Sequence, residues 1–220
     1  MPGDDRFIEI QQRPRWAWPW RWWQIALVGI LACGIVGATT VAGVIWYFSR
    51  DLPSLDLLQN YQPSLVTTVY SDDRQPIGQF FIERRILTPL IGIPKTLTQA
   101  VIATEDARFF EHPGLDYVGM VRAAWTNLRH GGKKVEGAST ITQQLARSLF
   151  LSSERSYDRK IRELILAYKM EAVLTKEQIL ETYLNQIYFG QGAYGVASAA
   201  QSYFGKDLGK LTLAEAAFLA

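Results

Sequence analysis

From Ile25 to Phe48 the chain runs for 24 residues without a charged side chain. A helix needs roughly 20 apolar residues to cross a hydrocarbon core of ~30 Å, so this run predicts a membrane span. Arg13, Arg15 and Arg21 lie before it, whereas Arg50 on the other side is followed at once by Asp51. That cationic bias places residues 1–24 in the cytoplasm as a short tail and everything after Arg50 outside. Trp16, Trp18, Trp20, Trp22 and Trp23 at one end, with Trp46 and Tyr47 at the other, suit the two interfaces where amphipathic rings settle. A cleaved signal peptide would carry an apolar region of only ~7–15 residues with small residues after it. Here the small-residue stretch Gly37–Gly43 lies inside the longer run, which favours an uncleaved anchor.

The remainder is long enough for one domain, and 48% apolar residues supply a core. A formal net charge of +2 gives no bulk attraction to nucleic acid, and none is expected as a partner. Cys33 is the single cysteine, so neither an internal disulfide nor a thiolate zinc site can form. Residues 49–64, with Pro53 and Pro63 and little periodicity, read as a linker. Val66–Tyr70 and Ile77–Glu83 flank the polar stretch Ser71–Pro76 and predict a small β-hairpin. From Pro94 onward helical spacing takes over, with helices over Lys95–Thr104, Ser139–Phe150 and Ser156–Leu174. Thr175 with Gln178, and Thr212 with Glu215, have capping-box spacing and start further helices at Lys176 and Leu213. The fold class is mostly α.

Glu105 ends an apolar helix, beside Asp106 and at the negative end of the helix dipole. Each of these surroundings disfavours the charged form, as suits a proton-transfer group, although a glutamate at a helix end also serves as a plain surface residue. His112, beside Pro113-Gly114, reads as a turn-holding partner, or as a ligand or base. Between Met120 and Lys169 stand ten basic residues against four acidic ones. Arg155, Arg159 and Arg162 share one helix side and form either a phosphate-binding fork or a solvated basic face, with Arg159 and Glu163 as a surface pair. Tyr117, Met120, Val121, Ala124, Trp125 and Leu128 recur at helical spacing, as a core stripe or as a face that docks on a bilayer.

Five motifs now stand in order. They are Glu105-Asp106-Ala107-Arg108-Phe109-Phe110-Glu111-His112-Pro113-Gly114, Gly137-Ala138-Ser139-Thr140-Ile141-Thr142-Gln143-Gln144, Arg159-Lys160-Ile161-Arg162-Glu163, Lys176–Asn185, and Gly190 through Gly195 to Tyr203-Phe204-Gly205. Together they resemble the family 51 peptidoglycan glycosyltransferase domain shared by class A penicillin-binding proteins and monofunctional peptidoglycan glycosyltransferases. The likeness covers residues 65–220, and residues 212–220 match a family helix that normally continues, which implies a domain cut short within that helix.

The resemblance implies a lysozyme-like, mostly α domain with a smaller membrane-associated lobe. It implies polymerisation of lipid II into β-1,4 glycan by inverting transfer, with undecaprenyl pyrophosphate released. Lipid II, the growing lipid-linked chain, membrane lipid and other cell-wall synthesis proteins are the implied partners. Glu105 matches the family's general base and Glu163 its second carboxylate, so these two are the expected catalytic residues. Asp106, Ser139, Thr140, Gln143, Gln144, Arg147, Arg155, Arg159 and Lys160 are the expected substrate-binding residues, with the arginines holding pyrophosphate. A divalent cation, Mg²⁺ or Mn²⁺, is implied near that pyrophosphate, no organic cofactor is expected, and moenomycin is the implied inhibitor. Arg147-Ser148 stands where the family usually has Lys-Asn, a change that keeps the charge and adds a planar fork. A lysozyme-like hydrolase and a non-catalytic scaffold are the competing readings; the basic cluster argues against the former, because a neutral glycan brings no pyrophosphate to stabilise.

Overall fold

The computed structural model describes residues 19–53, 67–80, 83–151 and 156–220. It divides into two compact units, one ending at Tyr47 and one spanning Phe48–Ala220. Helix α1 (Pro19–Ser49) covers the uncharged run and continues beyond it on the N-terminal side. Its stretch Trp22–Ser49 is long and apolar enough to cross a membrane. Arg13, Arg15 and the first tryptophans lie outside the described residues.

The second unit opens with a hairpin. Strands β1 (Thr67–Tyr70) and β2 (Pro76–Phe80) pair antiparallel, with a register shift between Val69 and Tyr70. The connecting turn is tighter than the sequence suggests. The Ser71 N–H donates to the Gln75 carbonyl, the Gln75 N–H donates to Ser71 Oγ, and Arg74 takes a positive φ of 59°. Proline therefore begins β2 instead of ending the turn, a position where the lack of an N–H is tolerated. Glu83, expected at the end of that strand, is in a bend, and Val66 lies outside the described residues. A second pairing was not legible: β3 (Arg84–Arg85) runs parallel to β4 (Ala193–Tyr194), joining segments more than a hundred residues apart.

Helices build the rest: α2 (Lys95–Glu105), α3 (Tyr117–Arg129), α4 (Ile141–Phe150), α5 (Tyr157–Val173), α6 (Lys176–Gln186), α7 (Val196–Phe204) and α8 (Leu213–Phe218). Both capping boxes form, with Thr175 and Thr212 accepting from the N–H three residues on. Ser139 and Ser156, expected inside helices, precede them. Thr140 and Ser156 instead act as N-caps, since a short hydroxyl accepts the third N–H better than it packs within a first turn.

The core is centred on α4. Ile141, Leu145 and Ala146 are buried against Leu166 and Met170 of α5, Ile179 and Leu184 of α6, and Leu97 and Val101 of α2. Gly195 lets the last motif reach α6. At its φ of +79°, a Cβ would lie 2.8 Å from the Asn185 carbonyl oxygen.

Helix α3 stands apart from this core. Val121, Trp125 and Leu128 are 70%, 59% and 68% exposed, with Tyr117 and Val118 beside them, so the stripe is not a core face. Among its apolar residues only Ala123 is buried, and Gly119 with it. The physical reason is that α3 meets the rest of the domain across a cleft, leaving its outer side uncovered.

Candidate active site

The segment after α2 is held by buried polar bonds. Asp106 caps the helix, its N–H donating to the Ile102 carbonyl. Its carboxylate lies 3.0 and 3.1 Å from Nε2 of His112, and its Oδ2 accepts the N–H of Ile141, the first residue of α4. Thr140 Oγ1 donates to the Gly114 carbonyl at 2.6 Å. Gly114 can be nothing larger, because at φ +85° a Cβ would lie 2.9 Å from Glu171 Cγ and 3.0 Å from the Ala167 oxygen. Lys176 closes the turn from outside, donating to the His112 carbonyl and lying 4.4 Å from the centre of the Phe109 ring.

These bonds tie the first motif to the second. They bring Glu105 beside α4, where Gln144 Nε2 donates to Glu105 Oε2 at 2.5 Å. Gln144 in turn accepts from Tyr183 Oη at 3.2 Å through its own Oε1. Burial pushes the Tyr183 phenol well up from its ordinary value, and the nearby charge of Glu105 adds to this while Arg147 opposes it. Asp106 lines the smaller of two clefts, but its carboxylate is buried and bonded to His112 and α4. His112 is the turn-holding partner of the two readings offered for it.

A second cluster forms where α4 meets α5. Glu163 is 1% exposed, and its Oε1 accepts from Lys160 Nζ at 2.6 Å. Arg147 Nη1 lies 3.7 Å from Oε2. Lys160 Nζ also donates to Ser139 Oγ and Gln143 Oε1, both at 3.1 Å, so one ammonium joins three motif positions. The expected surface pair of Arg159 with Glu163 is replaced by this buried arrangement, since a carboxylate removed from water needs close cations. Arg162 leaves the expected fork: it lies 3.6 Å from Asp51 and 5.8 Å from the Phe48 ring. Arg155 lies outside the described residues.

Both clusters face adjoining clefts. The larger, about 840 Å³, runs between α3 and α5 and is lined by Ser139, Gln143, Arg147, Arg159, Lys160 and Glu163, with Met120, Ala124 and Leu164 as its apolar part. The smaller, about 530 Å³, is lined by Glu105, Arg108, Arg122, Thr140 and Gln144. Ser139, Arg147, Lys134 and Glu136 line both. Glu105 thus faces the smaller cleft, Arg159, Lys160 and Glu163 face the larger, and Arg147 and Lys134 line both. Such an arrangement can remove a proton at one end and hold an anionic group at the other.

The oxygens of Glu163 face Lys160 and Arg147, and among the described residues no three His, Cys, Asp or Glu side chains converge. Tyr183 is the site residue that sequence reasoning missed. It stood within the fourth motif, but nothing in its spacing connects it to Glu105 across 78 positions.

Known proteins resemble this chain. The transglycosylase family model matches residues 73–220. Penicillin-binding protein 1A of Rickettsia felis is 48% identical over 188 residues, covering 84% of this chain and 24% of the relative. The protein of that name from Rickettsia bellii is 48% identical over 198 residues, covering 89% and 24%, and that from Neisseria flavescens 54% identical over 185 residues, covering 84% and 23%. The chain thus spans about a quarter of the length of these curated relatives. A family model matching most of the chain, together with relatives near 50% identity, establishes that this chain belongs to the transglycosylase family, the family 51 glycosyltransferase domain of class A penicillin-binding proteins.

Proposed function

We propose that the chain is a peptidoglycan glycosyltransferase that polymerises lipid II on the outer side of the cytoplasmic membrane. The observation that carries this reading is the placement of Glu105 in one cleft beside an adjoining cleft lined by Arg147, Arg159 and Lys160, with Arg147 lining both. Glu105 accepts the proton of the acceptor sugar's 4-hydroxyl. The freed oxygen attacks the anomeric carbon of the lipid-linked donor from the face opposite the phosphate, forming the β-1,4 bond with inversion. The bond between that carbon and the phosphate oxygen breaks, and its electron pair leaves with undecaprenyl pyrophosphate. The three cations meet the charge developing on the leaving group; Lys160 is fixed in advance by Glu163, Ser139 and Gln143, and Arg147 lies 3.7 Å from Glu163.

Helix α1 serves as a single membrane crossing with the N-terminus in the cytoplasm, supported by Arg13, Arg15 and Arg21 before it. The exposed face of α3, with Val121, Trp125 and Leu128, rests at the bilayer surface, where lipid-linked substrates present their sugars.

The test is incubation of the detergent-solubilised chain with fluorescent lipid II, resolving products by size, for wild type and Glu105→Gln. Polymer from wild type, with turnover at least ~10²-fold lower in the variant and its melting temperature unchanged, is the expected result. Cleavage of added glycan in place of polymer would favour the hydrolase, and inactivity on both substrates would count against either enzyme.

A further inference from the structure

Gln144 touches Glu105 on one side and Tyr183 on the other, and the chemistry of the two ends fixes the direction of the chain. A carboxylate only accepts, so the Gln144 amide must present its NH₂ to Glu105, and at 2.5 Å no other orientation is tolerable. The Gln144 Oε1 then points away and needs a donor. Tyr183 Oη, 3.2 Å distant, supplies one. The ring is 4% exposed, packed in α6 between the buried Leu180 and Leu184, and cannot swing away to water. The phenol keeps its proton because burial and the neighbouring Glu105 charge both oppose its loss.

We infer that Tyr183 is a positioning residue for proton transfer: acting through Gln144, its hydroxyl determines which oxygen of Glu105 receives the proton of the incoming sugar. Gln144 occupies Oε2, and among the described residues Oε1 has no hydrogen bond, so Oε1 is the accepting atom. Gln144, expected from its motif to bind substrate, is thereby assigned to the base. This inference rests on the polymerase reading for its chemistry, but the hydrogen-bond chain itself can be examined without turnover.

Two measurements on the full chain test it. The first is a kinetic cycle on lipid II with wild type, Tyr183→Phe, Gln144→Met and the double variant. Tyr183→Phe lowers kcat by roughly 5–10-fold and leaves KM within about twofold, because the lost contact orients the base and does not hold substrate. In the Gln144→Met background the same change lowers kcat by no more than about 1.5-fold, since its route to Glu105 is already cut. Equal losses in both backgrounds, or an unchanged kcat in Tyr183→Phe, overturn the inference.

The second measurement follows the side-chain amide of Gln144 by nitrogen-15 NMR, assigned by its absence in Gln144→Met. Its two proton signals move in Tyr183→Phe and again in Glu105→Gln. A signal indifferent to Tyr183→Phe overturns the inference even where polymer is made. Should wild type make no polymer, the polymerase reading fails, and the amide signal alone then decides whether Tyr183 orients Gln144.

Discussion

Lys160 Nζ lies 2.6 Å from Oε1 of Glu163, a carboxylate that the fold has removed from water almost completely. The lysine is itself half-exposed, so the pair is asymmetric. Deleting the lysine leaves the buried anion with Arg147 at 3.7 Å and its closest bond lost, whereas deleting the anion leaves a cation that can turn to solvent. Lys160→Met is therefore expected to destabilise the protein by about 3 kcal/mol, and Glu163→Gln by clearly less. Adding Glu163→Gln to Lys160→Met restores most of the loss. Denaturant midpoints of the three variants check this, and a double variant no more stable than Lys160→Met alone would show that Glu163 is not the group left stranded.

Arg147 stands between the clefts, 3.7 Å from Glu163 and beside the Gln144–Glu105 pair. If its charge meets the leaving pyrophosphate, charge matters more than shape. Arg147→Lys stays within about threefold of wild-type turnover, while Arg147→Ala loses about 10²-fold in kcat/KM for the lipid-linked donor. Steady-state rates on lipid II separate the two, and equal rates for wild type and Arg147→Ala would remove Arg147 from the leaving-group site.

The outer face of α3 carries an independent prediction. Val121 and Trp125 are exposed and make no part of the core, so Val121→Asp with Trp125→Asp leaves the melting temperature within about 2 °C. The same change lowers partitioning of a soluble form lacking residues 1–47 onto anionic vesicles by at least about fivefold. Phe48–Ala220 forms a compact unit of its own, which makes that form the suitable one for the measurement. Unchanged vesicle binding would show that α3 faces water.

Local rules made much of this legible. The capping boxes at Thr175 and Thr212 need only two residues at fixed spacing, and both formed as expected. The uncharged run is likewise a one-dimensional signal. What escaped was set by tertiary contact. The parallel pairing of Arg84 with Ala193 joins segments far apart in sequence and so short that no periodicity marks them. Asp106 looked like half of an acidic pair beside Glu105, yet it turns inward, because the N-terminus of α4 needs an acceptor and His112 a partner. Glu163 looked like a surface residue at helical spacing from Arg159. Its burial came from the packing of α4 on α5, which the sequence of α5 alone does not contain.

Tyr183 finally gives a pH dependence whose sign can be worked out. In the unfolded chain its phenol ionises near the ordinary value of 10.0, and in the folded chain burial and the charge of Glu105 hold the proton to well above that. Above pH 10 the unfolded state therefore releases a proton that the native state keeps. The stability contributed by the neutral phenol is complete below the unfolded value and is lost progressively as pH rises from there toward the folded value. Wild type should thus lose stability between about pH 10 and pH 11.5 more steeply than Tyr183→Phe, which has no proton to release at that position. Urea midpoints for both proteins at half-unit intervals measure the difference. Because other tyrosines and the lysines titrate alike in the two proteins, parallel curves would mean that the Tyr183 hydroxyl is as free to ionise when folded as when unfolded, and could not serve as the fixed donor to Gln144.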